Sequence, residues 1–203
     1  MDGAGARWIA CPTHSPYNPA WNTGPPGDFR GQEQHRIVVA PKDEDARLAA
    51  LKSCAVMHTP REAAFDHIVF TAAQLFRVPI AMLALVDDQV VWAKSQVGPM
   101  AQERPRAKTI CTQVVEAGQL LVIEDTTVDA RFLHLPSLHE EPPLRFFAGA
   151  PLLGPDRQTI GTLAVFDHHP RTVSERQQAQ LAQLAHEAGE LLRLRVPGLD
   201  ISA

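Results

Sequence analysis

Residues 144–167 alternate with a period of two, as β-strands do, and most positions in both phases of the alternation are apolar. The pattern covers two segments, and Gly154-Pro155-Asp156 between them is typical of a tight turn. Because both faces of each predicted strand are apolar, other parts of the chain must cover both sides. The pattern therefore predicts a β-hairpin at the centre of a sheet.

Other segments carry apolar residues at the three- and four-residue spacing of helices. In one of them, Thr59 is expected to cap the free amides, Pro60 to take the first helical position and Glu62 to complete a capping box. Near the C-terminus, two pairs match the same signature, Thr172 with Glu175 and Ser174 with Gln177. The predicted helices cover residues 43–57, 59–78, 109–117 and 172–195.

Three shorter runs of β-forming residues predict further strands. These strands are predicted over residues 80–86, 90–97 and 120–123. Asp87-Asp88-Gln89 is expected to join the first two as a hairpin. Taken alone, the pattern indicates a mixed α and β domain.

Several short motifs in these segments, taken together, are more specific than any one of them alone. In the first half of the chain they are Val78-Pro79-Ile80, Val86-Asp87, Trp92-Ala-Lys94-Ser95 and Ile110-Cys111. In the second half they are Asp129-Ala-Arg131-Phe132, Pro136, Arg145-Phe-Phe-Ala-Gly149-Ala-Pro151-Leu152, Gly161-Thr-Leu163 and Asp167. In this order they resemble the motifs of the GAF domain family, over roughly residues 45–195. The resemblance implies an α+β fold in which helices cover both faces of a central antiparallel sheet.

Composition divides the 203-residue chain into three parts. Residues 1–40 are rich in proline and glycine without a persistent period, so a flexible N-terminal tail is predicted. Residues 43–196 are assigned to the GAF domain and residues 197–203 to a C-terminal tail. Because no kinase, cyclase or DNA-binding segment is recognisable, the chain is expected to be a stand-alone sensor-type protein.

Bulk charge and hydrophobicity exclude some classes of partner. A net charge of −4 and a pI near 6.1 give no basic footprint for nucleic acid. No apolar run approaches the ~18 residues of a membrane span, and the first residues lack the features of a signal peptide. Three cysteines far apart in the sequence argue for a reducing compartment. A cytoplasmic location is therefore expected.

GAF domains are mostly small-molecule sensor and dimerisation modules of signalling proteins, so the resemblance implies a ligand cavity between the sheet and residues 108–132. Its predicted lining is Trp92, Cys111, Asp125, Phe132, Arg145 and Phe147. Asp125 and Arg145 have an alternative role, pairing with each other or with Asp129 to fix the loop, and the alternative role of Arg131 and Phe132 is to anchor it. The residues do not identify a ligand or cofactor.

Cysteine and histidine side chains are candidates for thiol chemistry and for metal binding. Cys111 falls in the first turn of a predicted helix, where a thiolate is stabilised, but a small buried side chain is the favoured interpretation. The sequence Cys111-Thr112-Gln113 lacks the histidine of the Cys-x-His pair that many GAF relatives have. Cys11, Cys54 and Cys111 do not resemble the clustered cysteines of free methionine sulfoxide reductases. The adjacent His168 and His169 point to opposite faces of a strand, and His134 and His139 lack a zinc-like pattern, so no metal site is predicted.

Three hypotheses for function remain. The first is a non-enzymatic sensor, in which a small molecule biases contacts of a homodimer formed through the terminal helices, or contacts with a signalling partner. The second is an interaction and dimerisation module whose pocket is closed by side chains. The third is a thiol-based redox sensor or an enzyme resembling free methionine sulfoxide reductase. The size of the cavity distinguishes the first two.

Overall fold

The computed structural model describes residues 7–9, 41–133, 135, 138 and 142–196, with only the backbone described for residues 7–9 and 41–43. The strands are β1 (Arg7–Ile9), β2 (Ile80–Val86), β3 (Val90–Val97), β4 (Glu103–Pro105), β5 (Leu120–Ile123), β6 (Phe146–Leu153) and β7 (Thr159–Asp167). The helices are α1 (Pro41–Ser53), α2 (Ala63–Phe76), α3 (Cys111–Ala117) and α4 (Glu175–Arg193), with short 3-10 turns at Arg106–Lys108 and Pro155–Arg157.

The strands of the described residues form one antiparallel sheet in the order β1-β5-β6-β7-β2-β3-β4. The predicted hairpin is β6 and β7, and β7 lies in the middle of the sheet with β6 on one side and β2 on the other. Its apolar residues are buried on both faces. The prediction of a central, doubly covered hairpin is confirmed.

Two separate hydrophobic clusters lie on the two faces of this sheet. On one face, α1, α2 and α4 pack over inward-facing residues such as Leu83, Phe146 and Val165. On the other, α3 and the segment before β6 cover residues such as Met82 and Phe166. The predicted arrangement, an antiparallel sheet with helices on both faces, is therefore present.

The start of α2 differs from the prediction because tertiary contacts replace the expected cap. The helix begins at Ala63, and its N-cap residue, Glu62, makes no side-chain capping bond. Thr59 Oγ1 donates to the carbonyl oxygen of Val56 at 2.7 Å and accepts from Lys94 Nζ, also at 2.7 Å. Of the two capping boxes predicted for α4, the structure has the one formed by Ser174 and Gln177.

A bulge in β3 brings Lys94 into the interior. Leu83 pairs with Ser95 and Ala84 with Ala93, which leaves Lys94 as the extra residue. A bulge changes the direction of the side chains beside it, so the side chains of Lys94 and Ser95 both reach residues at the start of α2.

The Lys94 side chain is fully buried, and all three of its ammonium protons have acceptors. Nζ lies 2.7 Å from Thr59 Oγ1, 2.5 Å from the carbonyl oxygen of Pro60 and 2.6 Å from Glu62 Oε1. Glu62 also accepts from Arg195, just beyond α4, at 2.7 Å. These bonds join β3, the start of α2 and the end of α4, and they hold the pKa of Glu62 below its usual value.

Two glycines permit close approaches that a larger residue would prevent. A Cβ atom on Gly161 of β7 would lie 2.2 Å from the carbonyl oxygen of Ala84 in β2. A Cβ atom on Gly189 of α4 would lie 2.5 Å from the carbonyl oxygen of Leu153 in β6. Gly189 therefore lets α4 rest directly on the backbone of the sheet.

The predicted tails fall mostly outside the described residues. Residues 7–9 belong to the predicted N-terminal tail, yet they pair with β5 as the edge strand β1. Residues 10–40 and 197–203 lie outside the described part, so their assignment as tails stays a prediction.

Candidate functional site

A small cavity lies where the resemblance predicts a ligand site, between the sheet and the start of α3. Its volume is about 20 Å³, roughly the room needed for one water molecule. The lining is mostly apolar, with Arg104 and Thr109 as its polar members. The remaining lining residues are Met82, Val91, Met100, Ala101, Ile110, Cys111, Leu144 and Phe166.

The wall of the cavity opposite the sheet is the irregular chain between β3 and α3. Thr112 Oγ1 donates to the carbonyl oxygen of Arg106 at 2.8 Å and lies 3.2 Å from Thr109 Oγ1. Gln96 Nε2 donates to the carbonyl oxygen of Met100 at 2.7 Å. These bonds hold the segment against the sheet and keep the cavity narrow.

Cys111 is the member of the predicted site that lines the cavity. Phe132 and Phe147 belong to the same hydrophobic cluster without lining the cavity. The Phe147 ring packs edge-on against Phe166, with 5.2 Å between the ring centroids. These two phenylalanines therefore support the site from behind its lining.

Trp92 lies on the opposite face of the sheet from this cavity. It belongs to the cluster beneath the long helices, and its ring centroid is 5.4 Å from that of His58. Its neighbours in β3, Val91 and Ala93, are the residues that face the α3 side. Alternation along β3 separates Trp92 from Val91 and Ala93, but it does not indicate which of the two faces meets α3. The prediction that Trp92 lines the cavity was therefore wrong.

Asp125 and Arg145 pair with each other, the alternative role considered for them. Arg145 Nε donates to Asp125 Oδ1 at 3.1 Å, and a second nitrogen of the guanidinium group binds Oδ2. Burial opposes ionisation of Asp125, but the bonds from Arg145 and Thr127 outweigh it and lower the pKa of this carboxyl. The pair fixes the loop between β5 and β6 outside the cavity.

The loop has a second pair of the same kind. Arg131 Nη2 donates to Asp129 Oδ2 at 2.9 Å, and the guanidinium carbon lies 5.1 Å from the centroid of the Phe132 ring. Asp129 is buried, whereas Arg131 is exposed. The anchoring role considered for Arg131 and Phe132 fits this geometry.

The cavity residues that the sequence did not suggest are mainly Met82, Arg104, Thr109 and Phe166. Met82 pairs with Ala164 in β7, two residues from Phe166, so these side chains share one face of the sheet. Alternation within the hairpin, combined with the pairing of β2 to β7, would have identified Met82 and Phe166. No signal in the sequence indicates that Arg104 lines the cavity.

The thiol of Cys111 is poorly suited to nucleophilic chemistry. Full burial raises its pKa to about 12, although Arg104 acts in the opposite direction. Cys54 is also buried with a raised pKa, and it lies in the cluster on the other face of the sheet. The free thiols that the structure describes therefore cannot meet without unfolding.

We expect Cys111 to resist alkylation in the folded protein. At pH 8 a thiol with a pKa near 12 is ionised in only about one molecule in 10⁴, and the thiolate is the form that reacts. Iodoacetamide followed by peptide mass spectrometry should label Cys111 in urea but not under native conditions. Rapid native labelling at this cysteine would contradict its placement in the core.

A larger concave surface lies on the other side of the molecule, between α2 and α4. This α2–α4 groove is open and has a volume of about 770 Å³. Its members combine apolar side chains with histidine, glutamine and glutamate side chains. They are Ala63, Ala64, His67, Ile68, Gln183, His186, Glu187, Glu190 and Leu191.

The described residues give no grouping of three or more histidine, cysteine, aspartate or glutamate side chains suited to a metal ion. His168 Nδ1 lies 3.0 Å from the carbonyl oxygen of Pro143, and His169 Nδ1 lies 3.2 Å from Asp167 Oδ1. His134 and His139 lie outside the described residues. Within the described part, no helix is both apolar enough and long enough to cross a bilayer.

Comparison with known proteins places these features in a family. The GAF domain family model matches residues 60–192. A cyclic di-GMP phosphodiesterase of Pseudomonas aeruginosa is 31% identical over 146 residues, which cover 71% of this chain. The chain spans only about a quarter, 25%, of the length of that relative.

Solved structures of low sequence identity share the fold. The GAF domain of an Acinetobacter phosphoenolpyruvate-protein phosphotransferase superposes with a TM-score of 0.57 at 15% identity, over 80% of this chain and 99% of that domain. The free methionine-R-sulfoxide reductase of Neisseria meningitidis superposes with a TM-score of 0.51 at 19% identity, over 77% of this chain and 91% of that protein. At these identities the likeness concerns the fold alone.

Proposed function

Because this chain belongs to the GAF domain family, we propose that it is a regulatory module of a signalling protein and works by pairing with a second copy through the α2–α4 groove. The observation that carries this proposal is the contrast between the two faces of the molecule. The face with the long helices carries an open groove, whereas the cavity that the described residues form on the α3 face is small. This arrangement matches the second of the three hypotheses, an interaction and dimerisation module.

The small volume of the cavity on the α3 face argues against a resident ligand of ordinary size. Pockets that bind small molecules typically enclose about 300–1,000 Å³. The cavity beside Cys111 has about 20 Å³, so even a small metabolite would have to displace the segment that covers it. Contacts through the helices require no such rearrangement.

The relative from Pseudomonas aeruginosa suggests a setting for this role. Its name states a cyclic di-GMP phosphodiesterase activity, and this chain matches about a quarter of its length. We therefore place the domain in cyclic di-GMP signalling, as a part that regulates an effector rather than one that performs the chemistry. The buried, separated thiols Cys54 and Cys111 support a non-enzymatic role.

Ala64→Arg is expected to convert a dimer into a monomer. Ala64 is exposed on α2 and lines the groove, so an arginine there places bulk and charge in the contact without touching the core. Sedimentation velocity at micromolar concentration should show a dimer for the unaltered chain and a monomer for the variant, with the same circular dichroism. Ala130→Arg, at an exposed site in the loop between β5 and β6, is the matched control and should remain dimeric. A monomeric unaltered chain would refute the proposal.

Ligand sensing is the second candidate, and the lining of the cavity favours it. Arg104 and Thr109 provide polar groups among flexible side chains such as Met82 and Met100. In that case binding of a ligand opens the covering segment and alters the sheet. Native mass spectrometry of protein purified from its own host should then show a retained small molecule, whereas the mass of the chain alone would count against sensing.

A further inference from the structure

The outer side of α4 carries charges in an order that the helix itself does not favour. Residues at positions i, i+4, i+7, i+11 and i+14 form one stripe along a helix. On α4 the outward stripe consists of Arg176, Gln180, Gln183, Glu187 and Glu190. A cation thus lies in the first turn, two neutral amides lie in the middle and two carboxylates lie toward the end.

The helix dipole favours the reverse order, with anions at the start and cations at the end. Neighbours on α4 offset part of this, because Glu175 lies in the first turn and Arg193 in the last. Arg193 donates to Glu190 at 2.9 Å, and Gln183 donates to Glu187 at 3.2 Å. Arg176 has no ion-pair partner among the residues that the structure describes. The order of charges along this outward stripe therefore suits a contact with a neighbouring chain.

We infer that two copies of this chain pack α4 against α4 in an antiparallel orientation, with the two-fold axis passing near Gln183. This inference rests on the proposed function and adds the orientation of the pair. Gln183 lies midway between Arg176 and Glu190 in the sequence, so an axis there places each Arg176 opposite Glu190 of the second copy. A parallel pair would instead place Arg176 against Arg176 and glutamate against glutamate.

The antiparallel arrangement also uses the other features of this face. The part of α4 between Arg176 and Glu190 is 14 residues long, or ~21 Å of helix, and this length would be in contact with the second copy. Leu194, which is 61% exposed, continues the stripe one turn further. Leu191 and Ala64 form part of the adjoining groove, so apolar surface becomes covered beside the charges. Charge sets the orientation, and the apolar surface stabilises the pair.

Charge reversal tests the orientation. Arg176→Glu should weaken the dimer about ten-fold or more in sedimentation equilibrium, because two attractive pairs become repulsive. Arg176→Glu combined with Glu190→Arg should restore the affinity, since the pairs are re-formed with opposite signs. Equal affinity for the unaltered chain and the single variant would overturn the inference.

Disulfide trapping provides an independent measurement. Arg176→Cys and Glu190→Cys are made separately in a Cys11→Ser background, and the remaining Cys54 and Cys111 are buried. Oxidation of a mixture of the two variants should give the disulfide between positions 176 and 190. A disulfide between two copies of position 176 would indicate a parallel pair and overturn the inference, while the proposed function would stand if Ala64→Arg still gave a monomer. If the unaltered chain is a monomer, the inferred orientation and the proposed function are both refuted.

Discussion

Gly161→Ala is expected to destabilise the domain by about 3 kcal/mol, among the largest effects of a single methyl group in this chain. The added Cβ atom would lie 2.2 Å from the carbonyl oxygen of Ala84, where the contact is with backbone rather than with a movable side chain. Relief would require β7 and β2 to separate at the middle of the sheet. Urea unfolding followed by circular dichroism measures the change in the free energy of unfolding.

Gly118→Ala is the matched control for that experiment. Gly118 ends α3 with a φ of +62°, and its added Cβ would have Thr159 Oγ1 as a neighbour at 3.6 Å, an ordinary contact. The cost should then be only that of the left-handed backbone conformation, about 1 kcal/mol. If the two variants were equally stable, the close approach of β7 to β2 would be wrong.

Lys94→Met is the second variant with a large expected effect, also a loss of about 3 kcal/mol in the free energy of unfolding. Methionine keeps the length of the side chain in the core but removes the ammonium group. Thr59 Oγ1, the carbonyl oxygen of Pro60 and Glu62 then each lose a hydrogen bond. Thermal unfolding by calorimetry measures the difference.

Lys52→Met serves as the control for Lys94, because Lys52 is exposed near the end of α1. That variant should unfold within about 0.5 kcal/mol of the unaltered chain. Hydrogen exchange adds a local readout, since loss of Lys94 should increase exchange at the start of α2, where Thr59, Pro60 and Glu62 each lose a hydrogen bond. A Lys94→Met protein as stable as the control would mean that apolar packing replaces the ion pair at no cost.

The sequence identified the strands well because alternation is a local property. The bounds predicted for β2, β3 and β5 agree with those observed, and the hairpin of β6 and β7 lies at the centre of the sheet as expected. Apolar positions on both faces required a layer on each side, and α3 and the long helices provide these layers. Periodicity and turn residues were sufficient for these strands, but β1 and β4 were not predicted, and the family resemblance supplied the antiparallel sheet with helices on both faces.

The site could be predicted less well because it depends on contacts between distant parts of the chain. Trp92 alternates correctly within β3, but nothing local indicates which layer its face meets. The predicted cap at Thr59 failed because Lys94, 35 residues away, takes the threonine hydroxyl as an acceptor. The volume of the cavity depends on how the chain around Met100 folds over it, which no short motif determines.

The carboxylate of Glu62 has a mechanical consequence for any signal that passes through this domain. It is shared by Lys94, in the same strand as the cavity residue Val91, and by Arg195, where the chain leaves α4. A displacement of that strand would therefore be transmitted through the two ion pairs of Glu62 to the end of α4.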